Sequence, residues 1–236
     1  YGNIWIDFTS SIFVTNTGHG NLDILKNLTK IIKKPLLHTY YYPTLIRRDF
    51  LKKLIQISPK NLNKAILLSA GTEATERALK ICSIYGKNNN KKFIIAWEGN
   101  YHGKTLNAQL LSGQFEDHKW IQKKNENIIH LPFPYPWTFE NKKISGKKLF
   151  YIHLNLIKKK IKNLKLISGF FVESFQGWGA IFYPKDYIKE LRKWSSNNRS
   201  LLIFDEIQAG FYRTGKIFAY LHYGVKADMV ICGKGI

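Results

Sequence analysis

The sequence predicts an α/β protein whose central sheet is mostly parallel and flanked by helices. Short apolar runs without polar alternation, at residues 93–97 and 201–204, indicate strands buried on both faces, which is typical of parallel sheets. Segments with helical spacing of apolar residues separate these runs, and such alternation favours a parallel α/β layer. The chain has 236 residues, 44% of them hydrophobic, which is enough for a substantial core.

The opening third of the chain is predicted to contain a strand and two helices. Apolar and polar residues alternate over 3–14, which predicts a strand, and a turn follows at 16–20. Apolar positions at helical spacing predict a helix over 21–33 with Asn21 as its cap. A second helix is predicted to run to Ile57.

A third helix is predicted to begin at Gly71 and Thr72. The free backbone amides and the dipole of a helix N-terminus attract a phosphate group, and glycine permits its close approach. Taken alone, the stretch Gly71-Thr72-Glu73-Ala74 is more often a plain helix cap. The interpretation therefore depends on the rest of the chain.

The middle of the chain contains fewer motifs. Residues 114–150 are polar and rich in proline, so they are predicted to cross the surface without adding a core element. A helix over about 150–164 is predicted to return the chain to the sheet, where a strand precedes Glu173. Pro184 then opens a helix that runs to Trp194.

Two charged residues follow apolar runs near the end of the chain. Asp205 ends one run and Lys234 closely follows the next. In open α/β sheets, ligands bind beside the carboxyl ends of the strands. An acid and an amine delivered to one edge can act on one cofactor, although either residue alone is more simply a loop cap or a surface lysine.

Composition excludes several classes of protein. The chain has 37 Lys and Arg residues against 16 Asp and Glu, a net charge of +21, but the lysines are scattered, and those at 158–160 suit a solvated helix face. Nucleic-acid binding is therefore not expected. Cys82 and Cys232 show no metal or disulfide spacing, and no apolar run reaches membrane-span length or forms a signal peptide. These features predict a cytoplasmic protein without a metal site or membrane segment.

Residues 205–216 and 228–235 resemble the class III (omega) aminotransferases, pyridoxal-phosphate (PLP) enzymes of fold type I. The resemblance implies the three-layer large domain of that fold. It implies that Asp205 pairs with the pyridinium nitrogen, that Lys234 forms the internal Schiff base, and that Gln208 binds the phenolic oxygen. A carboxylate beside the nitrogen keeps it protonated, and a lysine amine both forms the imine and transfers the substrate proton.

The resemblance also assigns cofactor-binding residues upstream. Gly71 and Thr72 match the phosphate-binding turn, Tyr101 is implied to stack on the pyridine ring, and His102 is its neighbour. Glu173 matches a second acid near the cofactor.

Three positions depart from the family pattern. Lys104 stands where the family usually has arginine, and Ser174 stands where it has proline. Trp178 replaces a glutamate that commonly pairs with a substrate-binding arginine, so 2-oxoglutarate is a doubtful co-substrate. The indole also predicts a narrower or more apolar pocket.

The domain organisation is predicted to comprise an N-terminal segment over 1–20 and a PLP-binding large domain over 21–236. The small C-terminal domain of the family is not represented, so the piece by itself is expected to be inactive. The whole protein is expected to be a homodimer with active sites at the interface. The resemblance makes Ser11 and Ile12 in the first segment candidates for substrate contact, although on sequence alone they are simply part of a loop.

The predicted activity is transfer of an amino group from an omega-amino acid, such as 4-aminobutyrate, or from a diamine to a 2-oxo acid. An aminomutase or a decarboxylating relative of the same fold is the nearest alternative. A catalytically silent homologue that acts as a basic binding module is the alternative from another class.

Overall fold

The computed structural model describes residues 2–35, 39, 41–122, 125–139 and 143–236, with only the backbone of residues 138 and 139. The chain forms two compact units, one of Tyr1–Ile66 with Lys234–Ile236 and one of Leu67–Gly233. The predicted division into a segment over 1–20 and a large domain over 21–236 stays a prediction. Among the described residues, no helix is both long and apolar enough to cross a membrane.

The first unit contains the helices α1 (Ser10–Phe13), α2 (Leu22–Ile32) and α3 (Leu45–Ile57). The side chain of Asn21 accepts hydrogen bonds from the backbone N–H groups of Asp23 and Ile24, so Asn21 caps α2 as predicted. The predicted end of the next helix at Ile57 is also confirmed.

The strand predicted over residues 3–14 is wrong. Asp7 accepts hydrogen bonds of 2.8–2.9 Å from the Thr9 N–H, the Thr9 hydroxyl and the Ser11 N–H. The backbone then makes a left-handed turn at α1, where φ lies between +50° and +67°. Hydrogen bonds from side chains to nearby backbone compete with strand formation, which explains the difference.

The described residues of the second unit form seven strands. In chain order these are β1 (Phe93–Trp97), β2 (Ile128–Leu131), β3 (Ile167–Glu173), β4 (Phe175–Gln176), β5 (Ile181–Phe182), β6 (Leu201–Asp205) and β7 (Met229–Ile231). The main sheet has five parallel strands in the order β2-β1-β3-β6-β7, while β4 and β5 form a separate antiparallel pair.

Helices cover both faces of the main sheet. The helices of this unit are α4 (Gly71–Asn88), α5 (Leu106–Leu111), α6 (Pro136–Phe139), α7 (Gly146–Lys160) and α8 (Lys185–Asn197). On one face, α4 packs against alternate strand positions that include Ile94, Ala96, Phe171, Ile203 and Ile231. On the other face, the Trp97 indole donates a 3.2 Å hydrogen bond to Tyr187 of α8, and the Tyr187 ring also contacts Phe150 of α7. Because successive strand residues point to opposite faces, this packing gives the predicted three layers.

The chain order of the sheet reverses between β1 and β3. Strand β2 lies on one side of β1, and all later strands of the sheet lie on the other side. In open parallel sheets, ligands bind beside the carboxyl ends of the two strands at such a reversal. The loops that follow β1 and β3 are therefore the expected place for a site.

Three predicted boundaries need correction. The segment 114–150 contributes β2 to the sheet, so it is not only a surface excursion; a four-residue strand is too short to show a clear period. The helix predicted over about 150–164 is α7, Gly146–Lys160, because the Ser145 hydroxyl caps its start by accepting from the Lys148 N–H. Pro184 is the N-cap of α8, which agrees with the predicted start of that helix, but α8 ends at Asn197 and not at the predicted Trp194.

Candidate active site

The predicted acids lie at the carboxyl ends of neighbouring strands. Glu173 ends β3 and Asp205 ends β6, and the two residues are partners in the parallel register. Asp205 is in turn level with Ile231 at the end of β7. The loop after β1, which carries Tyr101 and His102, begins at the same edge beside the reversal of strand order. The fold therefore brings together residues that are about a hundred positions apart.

Asp205 forms a buried pair with His102. The His102 Nδ1 lies 2.8 Å from the Asp205 Oδ2, and the side chains are 0% and 4% exposed. The second carboxylate oxygen of Asp205 accepts from the Ile207 N–H at 3.0 Å. The backbone N–H of His102 is held by the Ser112 hydroxyl at 2.8 Å. Within the described part of the chain, His102 Nε2 has no hydrogen-bond partner.

Glu173 and Gln208 hold the adjoining loops. The backbone N–H of Tyr101 donates a 3.0 Å hydrogen bond to the Glu173 carboxylate, and 37% of Tyr101 is exposed. Burial is the main cause that raises the pKa of Tyr101, and the charges of nearby acids raise this pKa further. The phenol is therefore neutral at physiological pH. The Gln208 side chain donates a 2.8 Å hydrogen bond to the Gly177 carbonyl. The roles predicted for these residues toward a cofactor stay predictions.

Gly71 and Thr72 form the first turn of α4, as predicted. The first N–H groups of a helix have no partner within the helix, so this 18-residue helix presents them with the positive end of its dipole. The Thr72 hydroxyl also contacts the loop after β1, because its oxygen accepts a 3.3 Å hydrogen bond from the Thr105 N–H. The turn and the loop that bears Tyr101 and His102 are therefore joined directly.

Gly103 permits this contact, and we expect Gly103→Ala to be strongly destabilising. Its φ is +130°, and an added Cβ would overlap the Thr72 hydroxyl and lie 2.8 Å from the Thr72 Cβ. Steric overlap and backbone strain together are expected to cost about 3 kcal/mol in the free energy of unfolding, measured by denaturant titration.

Gly215→Ala is the matched control for that substitution. Gly215 has a φ of +86°, but no atom lies within 4 Å of the added Cβ. This variant carries backbone strain alone and is expected to lose about 1 kcal/mol. Equal losses in the two variants would contradict close packing of Thr72 on Gly103.

Glu206 is a site residue that the sequence analysis did not assign. It is fully buried, and its carboxylate accepts hydrogen bonds from the Ser174 hydroxyl, the Ala219 N–H at 2.8 Å and the Tyr220 N–H at 2.7 Å. These bonds tie the ends of β3 and β6 to the segment that follows Gln208. A second acid directly after a buried strand is the signal in the sequence that indicates this role. Ser174, where the family usually has proline, supplies the hydroxyl donor.

The titration of Glu206 predicts a pH dependence of stability. Burial raises its pKa to about 7 from 4.5, with a further increase from the charge of Asp205. Between these values the folded state binds a proton that the unfolded state has released. The contribution of Glu206 to the free energy of unfolding is therefore largest below pH 4.5 and falls by roughly 3 kcal/mol as the pH rises to 7.

The measurement is the difference in free energy of unfolding between wild type and Glu206→Gln across this pH range. A difference is needed because burial lowers the pKa of His130 and of His153 to about 4, which makes stability rise with pH over part of the same range. A wild-type-minus-variant difference that does not change with pH would contradict the raised pKa of Glu206.

Lys234 belongs to the first compact unit. Its Nζ lies 5.5 Å from the centroid of the Phe13 ring, and its φ is +52°. Gly233, which precedes it, belongs to the second unit and lies against Gly71 and Ile207. The action of Lys234 with Asp205 on one cofactor stays a prediction, as do the substrate contacts of Ser11 and Ile12 in the first unit.

The positions that depart from the family pattern have different surroundings. Lys104 is exposed in the loop after β1, and Ser174 is buried against Glu206. Trp178 is 75% exposed, so its predicted effect on a substrate pocket stays a prediction. Among the residues that the structure describes, no group of three or more His, Cys, Asp or Glu side chains is arranged to hold a metal ion.

Comparison with known proteins decides the family. A family model described as Aminotransferase class-III matches residues 1–236. The chain belongs to this family. Among relatives of this class III chain, acetylornithine aminotransferase of Clostridium acetobutylicum is 32% identical over 243 residues, which is 100% of the chain and 56% of the relative. Alanine/serine racemase of Pyrococcus horikoshii is 29% identical over 248 residues, 100% of the chain and 51% of the relative.

A solved transaminase structure has the same fold as this chain. A transaminase from the marine bacterium Virgibacillus superposes with a TM-score of 0.87 at 25% identity, covering 98% of the chain and 52% of that structure. The class III chain thus spans about half the length of the relatives it matches.

Proposed function

We propose that this chain is part of a PLP-dependent aminotransferase. The observation that carries the proposal is the buried Asp205, held by His102 at the carboxyl edge of a parallel sheet. An acid in such a position is costly to bury unless its charge has a partner. His102 and the Ile207 N–H each make one hydrogen bond to this carboxylate, which can accept more than two, and the protonated ring nitrogen of PLP would be a further charge partner.

The residues of the second unit fit the other parts of PLP. The N-terminus of α4 at Gly71 and Thr72 suits the phosphate, and the partly exposed ring of Tyr101 offers an aromatic face to a planar ring. Gln208 carries an amide that can donate to the phenolic oxygen. Glu173 orients Tyr101 through its backbone N–H.

Bound PLP supplies an electron sink that stabilises negative charge on the substrate carbon while its ring nitrogen is protonated. Asp205 is proposed to keep that proton on the nitrogen. His102 orients the Asp205 carboxylate, and burial of the pair strengthens the interaction by excluding water. Lys234 is proposed to bind the cofactor covalently through its amine and to move the proton of the substrate.

The proposed reaction transfers an amino group from an omega-amino acid, such as 4-aminobutyrate, or from a diamine to a 2-oxo acid. The name of the acetylornithine relative supports amino-acid derivatives as donors. Because Trp178 stands in place of the usual glutamate, we expect pyruvate to be a better acceptor than 2-oxoglutarate. We further propose a cytoplasmic homodimer, and the unpaired thiols of Cys82 and Cys232 are compatible with a reducing compartment.

The test uses the protein expressed as its complete reading frame and supplied with PLP. We expect a visible absorption band from the lysine-linked cofactor, and consumption of pyruvate when 4-aminobutyrate or putrescine is added. Absence of the band, together with salt-sensitive binding of RNA, would instead support the basic binding module.

A racemase is the second candidate because one relative carries that name. The same assay separates the two reactions. A racemase converts L-alanine into D-alanine without consuming pyruvate, whereas a transaminase makes a new amino acid from each 2-oxo acid consumed. An aminomutase or a decarboxylase is distinguished by its product, which is an isomer in the first case and an amine with carbon dioxide in the second.

A further inference from the structure

Glu76, in the second turn of α4, accepts four hydrogen bonds from one short segment. Its Oε1 accepts from the Thr105 hydroxyl at 2.6 Å and from the N–H groups of Asn107 and Ala108 at 3.0 and 3.1 Å. Its Oε2 accepts from the Asn107 side chain at 3.1 Å. The carboxylate therefore caps the start of α5 from a neighbouring helix and fixes the Thr105 side chain.

The direction of the hydrogen bonds follows from counting protons. The Thr105 hydroxyl has a single proton, and it donates this proton to the Glu76 carboxylate. The hydroxyl oxygens of Thr105 and Thr72 are 2.9 Å apart, so in that contact Thr72 must be the donor. Thr72 in turn accepts from the Thr105 N–H at 3.3 Å. Glu76 thus orients a chain of hydrogen bonds that ends at Thr72.

The chain of hydrogen bonds from Glu76 to Thr72 joins the two segments that are predicted to contact the cofactor. Thr72 belongs to the phosphate-binding turn, and Thr105 ends the loop that carries Tyr101 and His102. Packing of Thr72 on Gly103 leaves no room for Thr72 to move toward that loop. A small change in Thr105 is therefore transmitted to the phosphate-binding turn.

We propose that Glu76 is a positioning residue for the phosphate-binding turn, acting through Thr105 on Thr72. The proposal rests on the proposed function, because it assumes that the turn receives the phosphate of PLP. Glu76 does not itself touch the cofactor in this proposal. It holds the backbone amides of Gly71 and Thr72 in one geometry before the phosphate arrives, which lowers the entropy cost of binding.

The experiment compares dissociation constants for PLP and for pyridoxal, which lacks the phosphate, by visible absorbance with the whole protein. The ratio of the two constants isolates phosphate recognition from general damage to the fold. Loss of the oriented turn in Glu76→Ala is expected to reduce the preference for PLP about tenfold. Thr105→Val, which deletes the hydroxyl and leaves the α5 cap, is expected to reduce it in the same direction.

Two variants serve as controls. Glu76→Gln keeps an oxygen for the three donors at Oε1, and the exposed Asn107 side chain can rotate to accept from the new amide, so we expect a preference within about threefold of wild type. Glu73→Ala removes the same charge one turn earlier, where, among the described residues, the carboxylate accepts a hydrogen bond from the Ser69 N–H alone, and is expected to leave the preference unchanged or slightly higher.

The outcomes separate this proposal from the proposed function. If the wild-type protein does not bind PLP, the function itself fails. If the wild-type protein prefers PLP but Glu76→Ala or Thr105→Val keeps the same preference, only the positioning role fails. A reduction in Glu73→Ala equal to that in Glu76→Ala would also overturn it, because charge and not the Thr105 contact would then be responsible.

Discussion

Replacing Lys234 with alanine is expected to abolish covalent attachment of PLP and to lower turnover by about 10³-fold or more. The amine has two proposed tasks, as nucleophile toward the cofactor and as the base that moves the substrate proton. An alanine side chain performs neither. The measurements are the visible absorption band and the rate of pyruvate consumption. Borohydride reduction of the wild-type protein, followed by peptide mass analysis, should place the cofactor on Lys234.

Two further lysine variants test whether the effect depends on the amine of Lys234 itself. Lys234→Arg keeps the positive charge but removes the nucleophilic amine, because guanidinium stays protonated, and it is expected to be as inactive as alanine. Lys226→Ala removes an exposed lysine from the same part of the chain and is expected to keep full activity. Recovery of the reduced cofactor on another lysine, or unchanged turnover in Lys234→Ala, would contradict the role proposed for Lys234.

Asp205→Asn is expected to lower turnover by about 10²-fold while leaving the fold intact. The asparagine oxygen can still accept from the Ile207 N–H, and its amide can donate to His102 Nδ1 once the imidazole changes tautomer. The hydrogen bonds are therefore kept and only the negative charge is lost. Without that charge, the ring nitrogen is less readily protonated, so the electron sink weakens.

The measurements for Asp205→Asn are turnover, PLP binding and thermal stability, with Asp228→Asn as the matched control. Asp228 precedes β7 at the opposite end of the sheet and accepts from Arg192 and the Leu202 N–H through one oxygen, which asparagine can replace. We expect this control to be less stable than the wild type but to keep the same activity per bound cofactor. Asp205→Asn with wild-type turnover would show that the buried acid does not act on the ring.

Local patterns in the sequence predicted most of the second unit correctly. The apolar runs at 93–97 and 201–204 are the strands β1 and β6, and the helix beginning at Gly71 is α4. Such elements are recognisable because burial on both faces of a strand, or along one side of a helix, leaves a regular pattern of apolar residues. The pattern fails where elements are short, as in β2, or where a polar side chain redirects the backbone, as Asp7 does.

The sequence by itself determined the α/β class, the acid at the end of β6 and the glycine-containing turn that begins α4. Only the tertiary structure decided that His102 pairs with Asp205, that Ser174 donates to Glu206, and that Glu76 reaches Thr105. The physical reason is that these contacts join residues 29 to 103 positions apart. Each contact depends on the order and register of the strands, and periodicity within one segment carries no information about the order of the sheet.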